Sequence, residues 1–405
     1  MKILMLSTTF PYPPSRGGTQ VRTFNFVKHL SQRHEVSLLV QRAKDVTDSE
    51  IDTLDSFVKE LVVFPAALDV KSGLLKKLQR YQNFWQSGLP PNVSSHYSGA
   101  MQQWIDQAVE KKQFDVISCE HSINEIYIRQ EWQQPRTVIN CHSSIYRTCQ
   151  NQLDTNTSEN IWRDRLYLPL LGRYEQNISN KFSHLVVTTE EDQNQYRSFN
   201  PNAQITVIPN GVDLELFPYR HADPGGYELI VTGGMDYMIN IDAACFFSLE
   251  VLPLLQRKYP KTRLKIVGAN PSPKVLSLQD RPGVTVTGRV PSMAEYLHQA
   301  TICIVPMRSG FGIKNKTLEA MACGVPIVAS DRGLEGLRVD HLSLPLRALR
   351  ANQIEEYIIA ISRLFEDATL RQKLSQNARS YIEKEYRWES LARIYERVLT
   401  KSQTG

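Results

Sequence analysis

The sequence predicts an α/β protein made of two doubly wound domains, each with its own parallel sheet. Two observations support this class. Short β-branched runs alternate with longer helical patterns along the whole chain, which is typical of βαβ units. The chain also has 405 residues, and at roughly 150–200 residues per domain two domains are the natural expectation.

The β-branched runs predict seven strands in the first half of the chain and five in the second. They are Ile3–Leu6, Val36–Val40, Leu61–Phe64, Val116–Ser118, Thr137–Asn140, Leu185–Thr188, Ile205–Ile208, Leu229–Thr232, Leu264–Val267, Val284–Thr287, Ile302–Val305 and Ile327–Ala329. In open parallel sheets of this kind, ligands bind beside the carboxyl ends of the strands.

The domain boundary is expected just after the last strand of the first half. The turn signal Pro209-Asn210-Gly211-Val212-Asp213 stands there, and a second turn signal follows at residues 223–226. We therefore predict domains at residues 1–215 and 216–385. The remaining segment, 386–405, is expected to carry a terminal helix.

Composition indicates an ordinary globular protein, with 41% hydrophobic and 22% charged residues. The net charge of +5 suits anionic substrates or an anionic membrane surface, but it is too small to indicate nucleic acid as a partner. No run of eighteen apolar residues occurs, so no membrane span is expected. Six cysteines without a Cys-x-x-Cys pair favour reduced thiols in a cytoplasmic protein and no metal site.

The most informative segment is the glycine-rich loop that begins at Arg308. Gly310 and Gly312 allow backbone N–H groups to approach a ligand closely, and the start of the following helix adds a positive dipole end. This arrangement suits an anion, most simply a phosphate. A plain βα turn whose glycines serve only packing is the alternative.

The helix after that loop is predicted over residues 314–323 and ends at Gly324, where a left-handed residue is favoured. Glu319 lies one to two turns into it. Its carboxylate can therefore accept hydrogen bonds from groups attached to the bound phosphate, such as sugar hydroxyls.

Two further candidate regions lie in the first half. Gly17 and Gly18 open a helix after a Pro-rich loop and repeat the phosphate-compatible pattern. His142 and His121 each follow a predicted strand, at the sheet edge where ligands bind. The alternatives are a Pro-rich loop with flexible glycines and hydrogen-bonded loop histidines, respectively.

Residues 312–322 read Gly-Ile-Lys-Asn-Lys-Thr-Leu-Glu-Ala-Met-Ala, and this form resembles the nucleotide-sugar site of retaining glycosyltransferases of family 4. The exopolysaccharide-type enzymes of bacteria look closest. The resemblance implies the GT-B fold, with two Rossmann-like domains facing a central cleft. Pro-Asn-Gly-Val-Asp at 209–213 is similar to the segment that closes the N-terminal domain in this family. The helix within 386–405 is then expected to cross back to that domain.

The resemblance also implies the roles of individual residues. The N-terminal domain would take the acceptor and the C-terminal domain the donor. His142, Lys314 and Glu319 would act at the reacting centre or on the nucleotide ribose, and His121 would line the site. The donor-binding set is Gly17, Gly18, Gly234, Asn240, Arg289, Val290, Arg308, Gly310, Phe311, Gly312, Ile313 and Lys316.

Two positions depart from the wider family pattern. Typical members carry an Arg just after the first glycine of the second domain and a Lys about five residues later. Gly234 and the pair Ile239-Asn240 occupy those places here. The first of two family glutamates is replaced by Phe311. We therefore expect the cations at 308, 314 and 316 to supply the charge that the donor diphosphate needs.

The predicted function is transfer of a sugar from a nucleotide-sugar to an acceptor hydroxyl, with retention of configuration, in cell-envelope or exopolysaccharide synthesis. The acceptor would be a glycan, a lipid-linked sugar or a small molecule, and neither a metal nor another cofactor is expected. The alternatives are a non-catalytic nucleotide-sugar-binding protein and a GT-B-type nucleotide-sugar epimerase. A Rossmann dehydrogenase is disfavoured because no Gly-x-Gly-x-x-Gly follows the first strand.

The expected location is the cytoplasm, with peripheral contact at the inner face of the membrane. Residues Lys71–Trp85 predict a basic amphipathic helix, and such a helix can rest on an anionic membrane surface. A packed surface helix with solvated lysines is the alternative.

Overall fold

The computed structural model describes residues 1–66, 74–132 and 134–401 and divides the chain into two compact units. Unit 1 comprises Met1–Gln150, Glu159–Pro209 and Glu389–Gly405. Unit 2 comprises Asn151–Ser158 and Asn210–Trp388. Each unit contains one sheet of parallel strands, which confirms the predicted α/β class.

The sheet of unit 1 has seven strands in the order β3-β2-β1-β4-β5-β6-β7. The strands are β1 (Lys2–Ser7), β2 (Glu35–Arg42), β3 (Glu60–Pro65), β4 (Val116–Glu120), β5 (Arg136–Asn140), β6 (His184–Val187) and β7 (Ile205–Val207). All seven coincide with predicted runs to within two residues. The runs were recognisable because helices cover both faces of a parallel sheet, which makes its strands almost continuously apolar.

Unit 2 has a six-stranded sheet in the order β10-β9-β8-β11-β12-β13. The strands are β8 (Glu228–Thr232), β9 (Arg263–Val267), β10 (Val284–Val286), β11 (Ile302–Val305), β12 (Ile327–Ala329) and β13 (Leu349–Arg350). The first five were predicted. The sixth was missed because two residues are too few to produce a strand pattern.

The described helices connect these strands. They are α1 (Gly18–Leu30), α2 (Asp48–Asp55), α3 (Leu74–Ser87), α4 (Pro91–Ser94), α5 (Gly99–Glu110), α6 (Ile145–Asp154), α7 (Ile161–Lys181), α8 (Glu190–Phe199), α9 (Met238–Phe246), α10 (Leu252–Lys258), α11 (Pro273–Leu276), α12 (Met293–Gln299), α13 (Asn315–Ala322), α14 (Ile354–Glu366), α15 (Ala368–Glu385) and α16 (Trp388–Thr400).

The segment that the sequence assigned to the end of the first domain packs in unit 2 from Asn210 onward. The N–H of Val212 donates a hydrogen bond to the carbonyl of Tyr386, at 2.9 Å, and Val212 forms a β-bridge with Arg387. These backbone contacts hold the linker against the end of α15, so the boundary lies a few residues before position 215.

The terminal helix α16 belongs to unit 1 from Glu389 onward. Its Tyr395 is fully buried, with a ring centroid 4.4 Å from that of Phe26 in α1. Arg136, at the start of β5, donates to the carbonyl of Val398 at 2.6 Å. The helix is therefore part of the core of this unit, as well as its last element.

Helices α9 and α10 join through a π-helical turn at Phe247–Val251 into one continuous helix, Met238–Lys258. By length and composition alone this helix could cross a membrane, with a mean hydropathy of 1.6 in its most apolar window. However, 61% of that window is buried inside the protein. Phe247 and Leu252 pack in the same cluster as strands β8 and β9, and buried core helices are apolar for this reason.

Candidate functional site

The loop after β11 has a backbone conformation that depends on its two glycines. Gly310 and Gly312 have φ angles of 90° and 82°, a left-handed region that other residues rarely adopt. A Cβ atom on Gly310 would also lie 2.8 Å from Cδ1 of Ile239. Helix α13 then begins at Asn315 without a side-chain cap. Lys314 thus offers no side-chain oxygen to the N–H groups of the first turn, which suits an anion.

Lys314 holds this loop in shape. Its Nζ atom lies 2.5 Å from the carbonyl oxygen of Gly312 and 3.3 Å from that of Gly310. The same amine is 3.8 Å from the buried carboxylate of Glu335. A positive charge is thereby fixed beside the start of α13, and the two glycine carbonyls are turned toward it.

Phe311, which replaces the first family glutamate, is held by a cation instead. The guanidinium carbon of Arg332 lies 4.4 Å from the centre of the Phe311 ring, within the range of a cation–π interaction. Ile313 is buried in the core of unit 2, with 7% exposure. Its side chain therefore packs inward, and only its backbone faces the loop.

Lys316 and Asn240 lie side by side, although they come from two different helices, α13 and α9. The Nζ of Lys316 donates to Oδ1 of Asn240 at 2.6 Å, and Nδ2 of Asn240 donates to the carbonyl of Gly234 at 2.8 Å. Burial, together with the nearby charge of Lys314, lowers the pKa of Lys316 to about 8. The amine thus remains mostly protonated at pH 7, so a cation is present beside Asn240.

Glu319 lies on the same helix as Lys316, three residues further on, and is partly buried. In the part of the chain that the structure describes, no protein group donates a hydrogen bond to its carboxylate. Burial raises the pKa of Glu319 to about 7, while Lys316 acts in the opposite direction. A desolvated carboxylate without a partner is an acceptor available to ligand hydroxyl groups.

Arg308 is paired with a carboxylate more closely than Lys314 is with Glu335. Its guanidinium forms two hydrogen bonds with Asp242, one of them at 2.9 Å, and this pairing raises the pKa of Arg308. The side chain is 43% exposed and lies 5.2 Å from the ring centre of Phe246. The charge closest to the glycine loop therefore comes from Lys314, with Lys316 beside Asn240.

Three glycines form a flat edge at the carboxyl ends of β8, β9 and β10; we call Gly233, Gly268 and Gly288 the glycine edge. The N–H of Gly233 donates to the carbonyl of Val267, and the N–H of Gly268 donates to that of Gly288. A Cβ atom on Gly233 would lie 2.8 Å from Nζ of Lys316. The absence of side chains therefore leaves space for that amine.

The two residues that follow this edge are oriented differently. Arg289 is exposed, and Val290 is partly buried against the core of unit 2. Arg289 can therefore reach a ligand with its side chain, whereas the position of Val290 is set by packing.

In unit 1, helix α1 begins at Gly18, and Gly17 precedes it with an extended φ of 172°. A Cβ atom on Gly17 would lie 2.9 Å from Oε1 of Gln20. The preceding Arg16 is held by Glu50 at 2.8 Å. This ion pair fixes the loop that leads into the helix.

His121 and His142 follow β4 and β5, and the structure brings their rings together edge to face, with centroids 4.9 Å apart. Burial lowers the pKa of His121 to about 4 and that of His142 well below its usual range, so both rings are neutral at pH 7. Nδ1 of His121 accepts a hydrogen bond from the N–H of Ile123 at 3.3 Å, which leaves the proton on Nε2. His121 also has a φ of 80°, a strained value for a residue with a side chain.

The buried Nε2 atom of His142 has no hydrogen-bond partner among the described residues. Buried polar atoms are rarely left unpaired, and exceptions are often found at functional sites. This nitrogen is therefore a second group, with the Glu319 carboxylate, that a ligand could satisfy.

Three charged or polar residues at the same edge of unit 1 were not predicted from the sequence. Arg22, Glu120 and Asn140 are all fully buried and bonded to one another or to shared partners. The available signal was a strand that ends in a carboxylate, next to a helix whose apolar face includes an arginine. Neither pattern identifies the partner, because the residues are far apart along the chain.

Within residues 1–66, 74–132 and 134–401, no group of three or more His, Cys, Asp or Glu side chains is placed to hold a metal ion. A cavity of about 580 Å³ opens at the amino-terminal edge of the unit 1 sheet, beside Lys2, Trp104 and Phe114. That edge is opposite the one that carries the histidines.

The fold and these residues define an α/β protein of the GT-B type, with a left-handed glycine loop and a carboxylate that accepts no hydrogen bond from the described residues in its second unit. Two family models match the chain: "Glycosyltransferase Family 4" over residues 16–216 and "Glycosyl transferases group 1" over residues 226–367. The chain belongs to glycosyltransferase family 4.

Curated relatives are distant. A lipopolysaccharide 1,2-N-acetylglucosaminetransferase of Salmonella typhimurium is 22% identical over 57% of this chain and 66% of its own length. A D-inositol 3-phosphate glycosyltransferase of Nocardiopsis dassonvillei is 28% identical over 51% of this chain and 53% of its own length. The matches thus span about two thirds and about half of these two relatives.

Solved structures match over the whole length. A sucrose-phosphate synthase from Thermosynechococcus elongatus has a TM-score of 0.69 at 18% identity, covering 99% of this chain and 100% of that one. Anabaena HepE in complex with UDP-glucose has a TM-score of 0.63 at 16% identity, covering 99% of both chains. At these identities the likeness establishes the fold.

Proposed function

We propose that the protein is a retaining glycosyltransferase that moves a hexose from a nucleotide-sugar to an acceptor hydroxyl in cell-envelope or exopolysaccharide synthesis. One observation carries the proposal. A left-handed glycine loop, two lysines and a partnerless carboxylate all meet at the start of α13. Named relatives support it: one transfers N-acetylglucosamine to lipopolysaccharide, and one solved structure holds UDP-glucose.

In this proposal the donor diphosphate lies against the loop at Gly310 and Gly312. Lys314 and Lys316 stabilise the negative charge that develops on the departing diphosphate, a task that fixed cations perform in a site prepared before the reaction. Glu319 accepts hydrogen bonds from the nucleotide ribose. Since the lysines supply the charge, we propose that no metal ion takes part.

The neutral histidines of unit 1 would act on the sugar and the acceptor. The Nε2–H of His121 can donate a hydrogen bond, and Nε2 of His142 is free to bond a hydroxyl group. We do not assign either histidine the role of a nucleophile. Retention would then follow from attack on the same face that the diphosphate leaves, without a covalent enzyme intermediate.

A thermal-shift panel tests donor binding directly. The protein is heated with UDP-, GDP- and ADP-sugars in the presence of EDTA. One nucleotide is expected to raise the melting temperature, because a ligand at a hundred times its Kd stabilises the folded state by about 2.7 kcal/mol. If none of the three nucleotides changes the melting temperature, the proposed donor site is wrong. A shift that requires added metal would contradict the metal-independent part.

Two alternative functions are tested as well, because Gly234 and Phe311 occupy the positions of an arginine and a glutamate in the family pattern. These are a non-catalytic nucleotide-sugar-binding protein and a nucleotide-sugar epimerase. Nucleotide release with the donor found in the panel separates them. An epimerase changes the sugar without an acceptor, and a binding protein shows the thermal shift without turnover. A transferase releases nucleotide faster when an acceptor is added.

We also propose that unit 1 contacts an anionic membrane surface through the first half of α7. Trp162 is 77% exposed and Leu166 is 56% exposed. Their spacing of four residues puts them on one face of the helix. The guanidinium of Arg165 lies 5.8 Å from the ring centre of Trp162. Exposed apolar side chains beside cations are typical of helices that lie at a bilayer surface.

Helix α3 adjoins this face. The ring of Tyr81 stacks on that of Tyr167 in α7, with centroids 5.8 Å apart, and Trp85 is 63% exposed. The predicted basic helix at Lys71–Trp85 is only partly covered by the structure, because residues 71–73 and the side chains up to position 80 lie outside the described residues. The proposed surface therefore rests on α7 and Trp85.

The double variant Trp162→Ser/Leu166→Ser is expected to bind phosphatidylglycerol-containing vesicles at least about tenfold more weakly than the wild type. Burying each side chain in the interface contributes of order 1 kcal/mol or more, and 1.4 kcal/mol corresponds to tenfold. Leu342→Ser is the matched control, since Leu342 is fully exposed in unit 2. Co-sedimentation measures binding. Equal binding by both variants, or no preference over phosphatidylcholine vesicles, would exclude this surface.

A further inference from the structure

Five polar side chains of unit 1 form a completely buried group that we call the strand-end cluster: Arg22, Ser118, Glu120, Asn140 and Tyr395. Each has no exposed surface. They come from α1, β4, β5 and α16, so the cluster joins four elements that are distant in sequence. None of these residues belongs to the proposed donor site.

Glu120 is the centre of the cluster. Its Oε1 accepts hydrogen bonds from the hydroxyl groups of Tyr395 and Ser118, each at 2.8 Å, and those two hydroxyls also contact each other. Its Oε2 accepts from Nδ2 of Asn140 at 3.0 Å. Arg22 completes the group, because its Nε donates to Oδ1 of Asn140 at 2.9 Å.

The cluster lies directly behind the two candidate histidines. Glu120 is the last residue of β4 and His121 follows it, while Asn140 is the last residue of β5 and precedes Cys141 and His142. The N–H of His121 donates to the carbonyl of Asn140 at 3.0 Å. A displacement of Glu120 or Asn140 would therefore move the ends of both strands, and with them both rings.

The cluster also bonds to segments near two of the four places where the chain crosses the boundary of unit 1. The terminal nitrogens of Arg22 donate to the carbonyls of Pro209 and Ile208, at 3.0 and 2.9 Å, and Pro209 is the last residue before the chain enters unit 2. Tyr395 lies on α16, which belongs to unit 1 from Glu389 onward. The outgoing and the returning segments thus bind the same group of side chains.

Burying charged groups such as these costs free energy of folding. Burial raises the pKa of Glu120 and lowers that of Arg22 to about 10, because it disfavours the charged form of both groups. Replacing buried ion pairs by apolar residues is often neutral or stabilising. The presence of Arg22 and Glu120 in the cluster is therefore better explained by a role in positioning neighbouring groups than by a contribution to stability.

We propose that Arg22, Glu120 and Tyr395 are positioning residues that set the orientation of the His121 and His142 rings, and that helix α16 acts on the reacting centre through them. The link to the reaction rests on the proposed function, in which both histidines serve sugar transfer. The link to the histidine rings does not depend on it.

Histidine NMR on the ligand-free, full-length protein tests the structural half. The protein is labelled with [¹⁵N]histidine, and each signal is assigned by single histidine-to-asparagine variants. Tyr395→Phe removes one hydroxyl and keeps the ring that packs on Phe26. We expect it to shift the ring nitrogen signals of His121 and His142, and to leave those of His298 and His341 in unit 2 unchanged.

Tyr381→Phe is the matched control. Tyr381 is a buried tyrosine of unit 2 whose hydroxyl bonds Tyr386 at 2.9 Å. Its replacement is expected to leave the signals of His121 and His142 in place, even at an equal loss of melting temperature. Arg22→Lys is a second test, since it keeps the charge but cannot reach all three acceptors. If neither Tyr395→Phe nor Arg22→Lys moves the two histidine signals, the positioning role is wrong.

Steady-state kinetics tests the link to the reaction. With the donor found in the thermal-shift panel, Tyr395→Phe is expected to lower kcat about tenfold and to leave the donor KM unchanged, because the proposed contacts with the diphosphate and the ribose lie in unit 2. An equal loss of kcat in Tyr381→Phe would show a merely structural effect and overturn the link. A wild-type protein that shifts with a donor but never turns it over would contradict the proposed function, while the NMR result would still decide the positioning role.

Discussion

Glu319→Ala is expected to lower sugar transfer by about a hundred- to ten-thousandfold while the protein remains folded. The carboxylate has no protein partner among the described residues, so its full hydrogen-bonding capacity is available to the nucleotide ribose. Hydrogen bonds to charged groups contribute about 1.5–3 kcal/mol each, and two of them account for this range at 1.4 kcal/mol per tenfold. Nucleotide release in steady state, with far-ultraviolet circular dichroism as a check on folding, measures the effect.

The pH dependence of donor affinity provides a second test of the role of Glu319. Burial raises the pKa of Glu319 to about 7, so the free protein carries the carboxylate half protonated near neutral pH. A protonated carboxyl group accepts ribose hydrogen bonds less well. Affinity for the donor nucleotide-sugar is therefore expected to increase from pH 5.5 to pH 7 in the wild type, because the carboxylate ionises while Lys316, with a pKa of about 8, stays mostly protonated. Isothermal titration measures it.

Two variants control this result. Glu319→Gln keeps the shape but cannot ionise, so its donor affinity is expected to be low and nearly independent of pH over the same range. Glu295→Ala removes an exposed carboxylate on α12 and is expected to leave transfer unchanged. Wild-type activity in Glu319→Ala would remove this residue, and with it the proposed ribose contact, from the site.

Structural features that depend on neighbouring residues could be predicted from the sequence. The left-handed Gly324 and helix α13 follow from the capping preferences of adjacent residues. Twelve strands were predicted because parallel strands buried on both faces leave a continuous apolar signal. The thirteenth, Leu349–Arg350, has only two residues and leaves none.

Long-range pairing was not predictable in the same way. Arg308 was expected beside the donor phosphate, but Asp242, which is 66 residues earlier, holds its guanidinium. Arg22 and Asn140 are 118 residues apart, and Glu120 meets Tyr395 across 275 residues. Residue type and spacing indicate that a buried charged side chain needs a hydrogen-bonding partner. Only the fold determines which distant residue is that partner.

Gly268→Ala is expected to destabilise unit 2 by at least about 3 kcal/mol, at the upper end of what overpacking costs. Gly268 ends β9, where the glycine edge brings two strand ends into contact. An added Cβ atom would lie 1.7 Å from the carbonyl oxygen of Gly233 and 2.7 Å from its carbonyl carbon. Both are backbone atoms, so no side chain can move aside and β8 must separate from β9.

The expected decrease in melting temperature is about 6–12 °C, because each kcal/mol lowers the melting temperature by about 2–4 °C in a unit of this size. Differential scanning calorimetry measures it. Two other glycines separate the causes. At Gly288 an added Cβ would meet open space, but φ is +71°, so alanine there is expected to cost only the left-handed backbone strain of about 1–2 kcal/mol.

At Gly99 the space is open and the backbone is ordinary, so Gly99→Ala is expected to be neutral or slightly stabilising. The order Gly268, Gly288, Gly99 therefore tests contact against strain. If Gly268→Ala melts within 2 °C of the wild type, or less destabilised than Gly288→Ala, then the close approach of β8 and β9 is not a rigid part of the unit 2 fold. The space that it leaves for the Lys316 amine would then also be adjustable, since Gly233 carries both contacts.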